Sequence, residues 1–171
     1  WIAGLPANLD GYMNGYPKGA EVLSFYIVTL LQSDSSVNIA NVLFLPIGVL
    51  GISAICVLLG MDFLVSLSTG FLWVIIPVNV FQSATTYVDS AFASAAVGAF
   101  AAFFFFLLAR DGEQRAWGAF AMGMGLGLVL GTKGTGSVFF AVVLCAVVAF
   151  GALSWVRRDY RKRACVRLVT T

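Results

Sequence analysis

Five apolar runs alternate with short polar breaks along this chain. Val37 to Gly60 carries no charged residue. A helix crosses ~30 Å of hydrocarbon with ~20 predominantly apolar residues, so this run predicts a membrane span. Pro46 lies inside it and predicts a kink. Met61-Asp62 makes a short turn into Phe63 to Gln82, a second span interrupted by Pro77. The polar connection Ser83 to Tyr87 leads to a third span, Val88 to Ala109, with Asp89 at its start. After the charged loop Arg110 to Arg115 come a fourth, shorter span, Ala116 to Gly131, and a fifth, Val138 to Val156.

Upstream of these runs, residues 1–36 are rich in Gly, Pro, Asn and Tyr, a composition that favours turns. Pro17 suits the first turn of a helix. The apolar stretch that follows, AEVLSFYIVTLLQ, is too short to span and reads as an interfacial or re-entrant helix. Tyr12, Tyr16 and Tyr26 suit the headgroup level. Ser33-Asp34-Ser35-Ser36 offers N-cap residues to the first span. Residues 157–171 form a basic tail.

Composition agrees with the pattern. The chain is 60% hydrophobic and 11% charged, against about 25% charged in soluble domains. Too few charges remain to cover a globule, so the fold class read here is all-α: a polytopic membrane bundle of about five spans plus a short interfacial helix. There is no histidine, which excludes a His-based metal site or base within these 171 residues. Cys56, Cys145 and Cys165 are widely separated and predict neither a disulfide framework nor a Cys-rich metal site. Trp1 stands where a start methionine would, and no signal-peptide pattern precedes the first loop. The chain therefore reads as a piece of a longer protein.

Charge placement predicts an orientation. The Asp62 turn, the Arg110–Arg115 loop and the tail share one side. That side collects Arg110, Arg115, Arg157, Arg158, Arg161, Lys162, Arg163 and Arg167, against Lys18 and Lys133 on the other. Positive residues favour the cytoplasm, so the tail is expected there. The opposite face then gathers Asp10, Lys18, Glu21, Asp34, Asp89 and Lys133, and any chemistry is expected on it.

On that face Asp89 is the first candidate. Ionisable groups at membrane depth are commonly functional, whereas a helix-starting acid also simply favours the helix dipole. Lys133, in GTKGTG, is the second. Glycines admit close backbone approach and lysine binds phosphate; the alternative is a snorkelling lysine. The stretch is not a Walker A loop, because Gly134 follows Lys133. Lys18 and Glu21, three apart in YPKGAE with Tyr16, either pair on a helix face or meet substrate. Asp10 reads as a turn residue or a substrate-loop acid. On the fourth span, Ala119, Gly123, Gly127 and Gly131 recur every fourth position and predict a close-packing helix face.

In order, Tyr16-Pro17, Thr86-Tyr87-Val88-Asp89 and Gly127-Leu128-Val129-Leu130-Gly131-Thr132-Lys133-Gly134 make nearly the whole chain resemble the GT-C class of multi-spanning glycosyltransferases. Within it, the similarity is to the bacterial dolichyl-phosphate-mannose–protein mannosyltransferase and aminoarabinose-transferase-like superfamily. The resemblance implies transfer of a sugar from a polyprenyl-phosphate donor to a lipid, glycan or protein acceptor at the non-cytoplasmic face of the plasma membrane. Membrane lipids are expected partners and nucleic acid is not. It also implies a catalytic acid after a span upstream of Trp1. Asp89 matches the family's second external-loop carboxylate and Lys133 its TKG lysine. Tyr87 and Asp10 join Tyr16 and Glu21 as substrate-loop residues, and Lys18 joins Lys133 at the donor phosphate. A divalent metal requirement stays open. The competing readings are a transporter or flippase segment, which the prolines suit, and a non-catalytic scaffold, which the glycine face suits.

Overall fold

The computed structural model describes residues 19–33, 37, 39–83, 85 and 87–169, with the backbone alone beyond residue 153. Among these residues there is helix and no strand. The helices are α1 (Gly19–Leu31), α2 (Ile39–Val42), α3 (Leu45–Leu58), α4 (Phe63–Ile75), α5 (Pro77–Ser83), α6 (Asp89–Leu108), α7 (Gly112–Thr132) and α8 (Gly136–Val169). The chain divides into two units, Trp1–Ser137 and Val138–Thr171.

Three segments are long and apolar enough to cross a membrane: Ile39–Leu58, Asp89–Leu108 and Gly136–Leu153. The bent pair α4–α5 makes a fourth if it is one span. The five-span expectation is thus met only in part. Residues 116–131 are helical within α7, but α7 is not among the helices apolar enough to span. Its first turn carries Glu113 and Arg115, and its many glycines add little hydropathy. The second unit consists of the continuation of α8, whose helix runs on through the basic segment to Val169.

Local chemistry sets the helix ends. Gly60 has φ of +88°, and α3 closes with Gly60 N–H on the Val57 carbonyl at 2.9 Å and Met61 N–H on the Cys56 carbonyl at 3.1 Å. This pair of hydrogen bonds around a left-handed glycine satisfies carbonyls that the helix leaves open. Two residues later, Asp62 caps α4, its Oδ2 accepting from Leu64 N–H at 3.0 Å. Asp111 caps α7 by accepting from Gln114 N–H at 2.7 Å, and Gln114 Oε1 accepts in return from Arg110 N–H at 3.1 Å. Both cytoplasm-assigned turns of the sequence reading are therefore tight, capped hairpins.

The two prolines act differently. Pro46 sits at the first turn of α3, where the missing N–H costs nothing. Leu43 and Phe44 interrupt the helix before it, yet Ile39–Leu58 still runs as one segment. Pro77 does break its span, and α4 and α5 meet at 60°. A proline cannot donate to the carbonyl four residues back, which here belongs to Trp73. Asn79 Nδ2 donates to that carbonyl at 2.8 Å, and Asn79 is buried. A side-chain amide thus replaces the lost backbone donor, as a low-dielectric setting requires. Replacing Asn79 by Leu is expected to destabilise the chain by about 1 kcal/mol, the scale of such bonds in membrane proteins. Chemical unfolding in detergent checks this; an unchanged midpoint would show that the Trp73 carbonyl finds another donor.

Packing in the first unit is built on small residues. Ala91, Ala95, Ala99, Ser90 and Ser94 of α6 are buried, whereas Leu30, Phe81, Leu64 and Leu59 are exposed. Large apolar side chains outside and small ones inside suit lipid as solvent. There, close backbone approach and hydrogen bonds hold helices together, because lipid supplies no hydrophobic drive. Between α3 and α4, a Cβ added at Gly70 would strike Ser53 Oγ and the Val49 carbonyl oxygen. Between α3, α4 and α6, a Cβ at Gly48 would strike the Trp73 indole, whose Nε1 donates to Ser94 Oγ at 3.4 Å.

α6 and α7 form the antiparallel hairpin that carries the site. A Cβ at Gly118 would lie 2.9 Å from Phe106 Cα, and one at Gly125 would lie 2.9 Å from Ala99 Cα. The two contacts lie seven residues apart on each helix, which is two helical turns. The expected Ala119-Gly123-Gly127-Gly131 face is not this seam. Gly123, Gly127 and Gly131 have open space at Cβ, and Ala119 is exposed. A two-turn repeat keeps Gly118 and Gly125 on the line facing α6, and the four-residue repeat drifts away from that line.

Candidate functional site at the open end of the α6–α7 hairpin

Continued along the hairpin, the seam of Gly118 and Gly125 carries the end of α7 back to the start of α6. Lys133, the C-cap of α7, adopts an extended backbone there. Its Nζ forms an ion pair with Asp89 Oδ1 in the first turn of α6. The side chains are 28% exposed for Lys133 and 39% for Asp89, so the pair is reachable from outside. An ion pair this far exposed contributes about 0–1 kcal/mol to stability. What it does supply is a carboxylate and an ammonium held together beside a glycine-flanked turn.

That turn is ordered by its own backbone. Gly136 N–H donates to the Lys133 carbonyl at 2.9 Å, and Ser137 Oγ to the Gly134 carbonyl at 2.8 Å. Gly136 has no room for a side chain, since a Cβ would meet the Val129 carbonyl. α1 begins at the same place: a Cβ at Gly19 would collide with the Gly131 carbonyl, and Ala20 is buried. The short helix is thereby fixed at its N-terminal end beside the Lys133 turn, and Gln32, with φ of +48°, ends it.

On the other side of the pair, the segment entering α6 is tied down from α2. Asn41 Nδ2 donates to the Thr85 carbonyl at 2.6 Å and to the Tyr87 carbonyl at 3.0 Å. Thr85 Oγ1 donates to the Gln82 carbonyl and accepts from Tyr87 N–H at 3.3 Å. Tyr87 itself is exposed. Directly after Asp89, Ser90 is 1% exposed and its Oγ has no hydrogen-bond partner.

Of the residues singled out in the sequence, Asp89 and Lys133 are thus brought into contact, and Tyr87 lies two positions from the pair. Glu21 is exposed on the first turn of α1. Asp10, Tyr12, Tyr16, Pro17, Lys18, Thr86 and residues 34–36 lie outside the described residues. Asn41 and Ser90 went unnoticed in the sequence. Asn41 carries a signal there, a carboxamide inside an otherwise apolar run, which low-dielectric burial tolerates only with a partner. Ser90 carries none, since serine is common among small packing residues. Among the described residues, no three His, Cys, Asp or Glu side chains gather to hold a metal ion.

A groove of about 390 Å³ opens between α3 and α4, lined by Val42, Leu45, Pro46, Val49, Leu67 and Phe71 among others. Its lining is apolar, and Val42 at one end adjoins Asn41. No protein-family model, curated protein or solved structure matches this chain.

Proposed function

We propose that this chain is part of an integral-membrane glycosyltransferase of the GT-C kind. It moves a sugar from a polyprenyl-phosphate donor to a lipid, glycan or protein acceptor on the non-cytoplasmic side. One observation carries the reading: Asp89 and Lys133, 44 positions apart, meet at one open end of a helix hairpin. The donor's phosphate is a dianion or monoanion on an apolar chain, and Lys133 supplies the positive charge for it as the sugar departs. Asp89 holds Lys133 in place before the phosphate arrives, then orients the sugar or the acceptor hydroxyl. The acceptor hydroxyl gives up its proton to a general base as the new glycosidic bond forms. The apolar groove beginning at Val42 offers room for the prenyl chain.

The excess of Arg and Lys in the Arg110–Arg115 loop and in residues 157–171 supports this sidedness. Single cysteines placed at positions 89 and 133 of the intact protein should both label from the non-cytoplasmic side with a membrane-impermeant reagent. Labelling from opposite sides would remove the site. The function itself is tested with membranes bearing the intact protein and a radiolabelled polyprenyl-phosphate sugar. Label should move to an acceptor fraction, and none should move in membranes without the protein.

The 60° break at Pro77 and the buried Asn79 favour a second reading, a transporter or flippase with a broken helix near its pathway. Reconstituted vesicles discriminate: translocation of the labelled lipid without sugar transfer would select it.

A further inference from the structure

We propose that Asn41 is a positioning residue for the Asp89–Lys133 pair, a role that rests on that pair being the working site. Asn41 is 5% exposed and sits on the four-residue helix α2, far in sequence from the hairpin it steadies. Its single amide nitrogen has two hydrogens, and both are used: one on the Thr85 carbonyl, one on the Tyr87 carbonyl. Those two carbonyls belong to the turn that delivers the chain into α6. Val88, the N-cap of α6, gives no side-chain cap, so the first turn of α6 lacks the usual local brace. The brace comes from across the bundle.

The geometry explains why an amide is required. Both acceptors are carbonyl oxygens, so the clamp needs two donors on one small head, which Asn supplies and Asp, Ser or Leu does not. An unpaired amide at that depth is costly, so an Asn in an apolar run is held to this place by its partners. The other hydrogen bonds of the turn, those of Thr85 with Gln82 and Tyr87, are local and fix its shape without fixing where it sits. With Asn41 removed, the turn keeps its shape and Asp89 loses its register against Lys133.

The test uses the intact chain in membranes, with its cysteines replaced and two reporter pairs introduced separately. One pair, Asp89→Cys with Lys133→Cys, reads the open end of the hairpin through a short bifunctional thiol reagent. The other, Leu108→Cys with Gln114→Cys, reads the closed end of the same hairpin with the same reagent, since both side chains are exposed and line one pocket. Asn41→Leu removes both donors with little change of volume and no new charge. It is expected to slow cross-linking at 89/133 by about fivefold or more, the weight of one to two hydrogen bonds. The 108/114 rate should stay within twofold. Ser53→Ala, which removes a buried bond of Ser53 Oγ to the Val49 carbonyl, should change neither rate. An unchanged 89/133 rate overturns the proposal, and so does an equal fall at both pairs, which would make Asn41 a general packing residue. Because neither readout uses sugar transfer, a failed transfer assay strikes the functional reading and leaves this one to be judged separately.

Discussion

Gly70→Val is expected to prevent the α3–α4 helix pair from closing and to leave little folded protein. A side chain at position 70 would meet Ser53 Oγ, the Val49 carbonyl oxygen and, at 3.3 Å, the Val49 carbonyl carbon. Two of these three atoms are backbone, so no rotamer change relieves the clash. Overpacking a core costs typically ~1–3 kcal/mol when side chains can shift, and more when they cannot. Lipid adds no penalty for separating the helices that would hold them against the strain. Ser53 would also lose its approach to Gly70, although its bond to the Val49 carbonyl at 2.8 Å lies within α3. Gly70→Ala should fall between wild type and Gly70→Val. Gly123→Ala is the contrast: its Cβ meets open space, and alanine is a better helix former by about 1 kcal/mol. Thermal unfolding in detergent should show Gly123→Ala unchanged or slightly stabilised. Equal damage at positions 70 and 123 would mean that the packed and open faces are assigned the wrong way round.

The second large effect concerns chemistry. On the proposed reading, Lys133→Met in the intact protein should lower sugar transfer about a hundredfold, the usual loss when one preorganised charge-stabilising group is removed. Insertion and thermal stability should hardly move, because the pair is part-exposed and contributes about 0–1 kcal/mol. Asp89→Asn should also lower turnover, since a neutral amide neither holds the ammonium nor orients a hydroxyl as strongly. The decisive variant is the charge swap, Asp89→Lys with Lys133→Asp. It restores an ion pair at the same place while reversing which helix end carries the positive charge. If the pair only braces the hairpin, the swap rescues whatever the single changes lose. If Lys133 meets a phosphate at the α7 end, the swap stays as inactive as Lys133→Met. Full transfer by the swapped protein would falsify the proposed roles.

Much of this architecture is legible in residue order. Uncharged runs of spanning length, the scarcity of charge, and the capped turns at Gly60-Met61-Asp62 and Asp111 are local properties, set by hydropathy and by side chains within four residues. The return of Lys133 toward Asp89 is legible too, because two helices of similar length joined by a tight turn must bring their far ends together. Which glycines pack is not legible. The four-residue series at Ala119, Gly123, Gly127 and Gly131 is the more conspicuous signal, yet α6 lies along Gly118 and Gly125. Helix rotation is fixed by the sum of contacts with a neighbour, and no single helix contains that sum. Pro46 and Pro77 look alike in sequence, but one starts a helix and the other breaks a span. The difference lies in what precedes each proline: Pro46 falls in the first turn of α3 after the interruption at Leu43 and Phe44, and Pro77 comes two residues after the end of α4, at a 60° bend. Asn79 and Asn41 become intelligible only when the carbonyls they serve are seen. The sequence alone determined the solvent this chain is built for and the sites of its turns, because both follow from transfer free energies of short segments. The tertiary structure decided which small residues touch and which buried amides hold the α6 entry, because those depend on groups tens of positions apart arriving within hydrogen-bond reach.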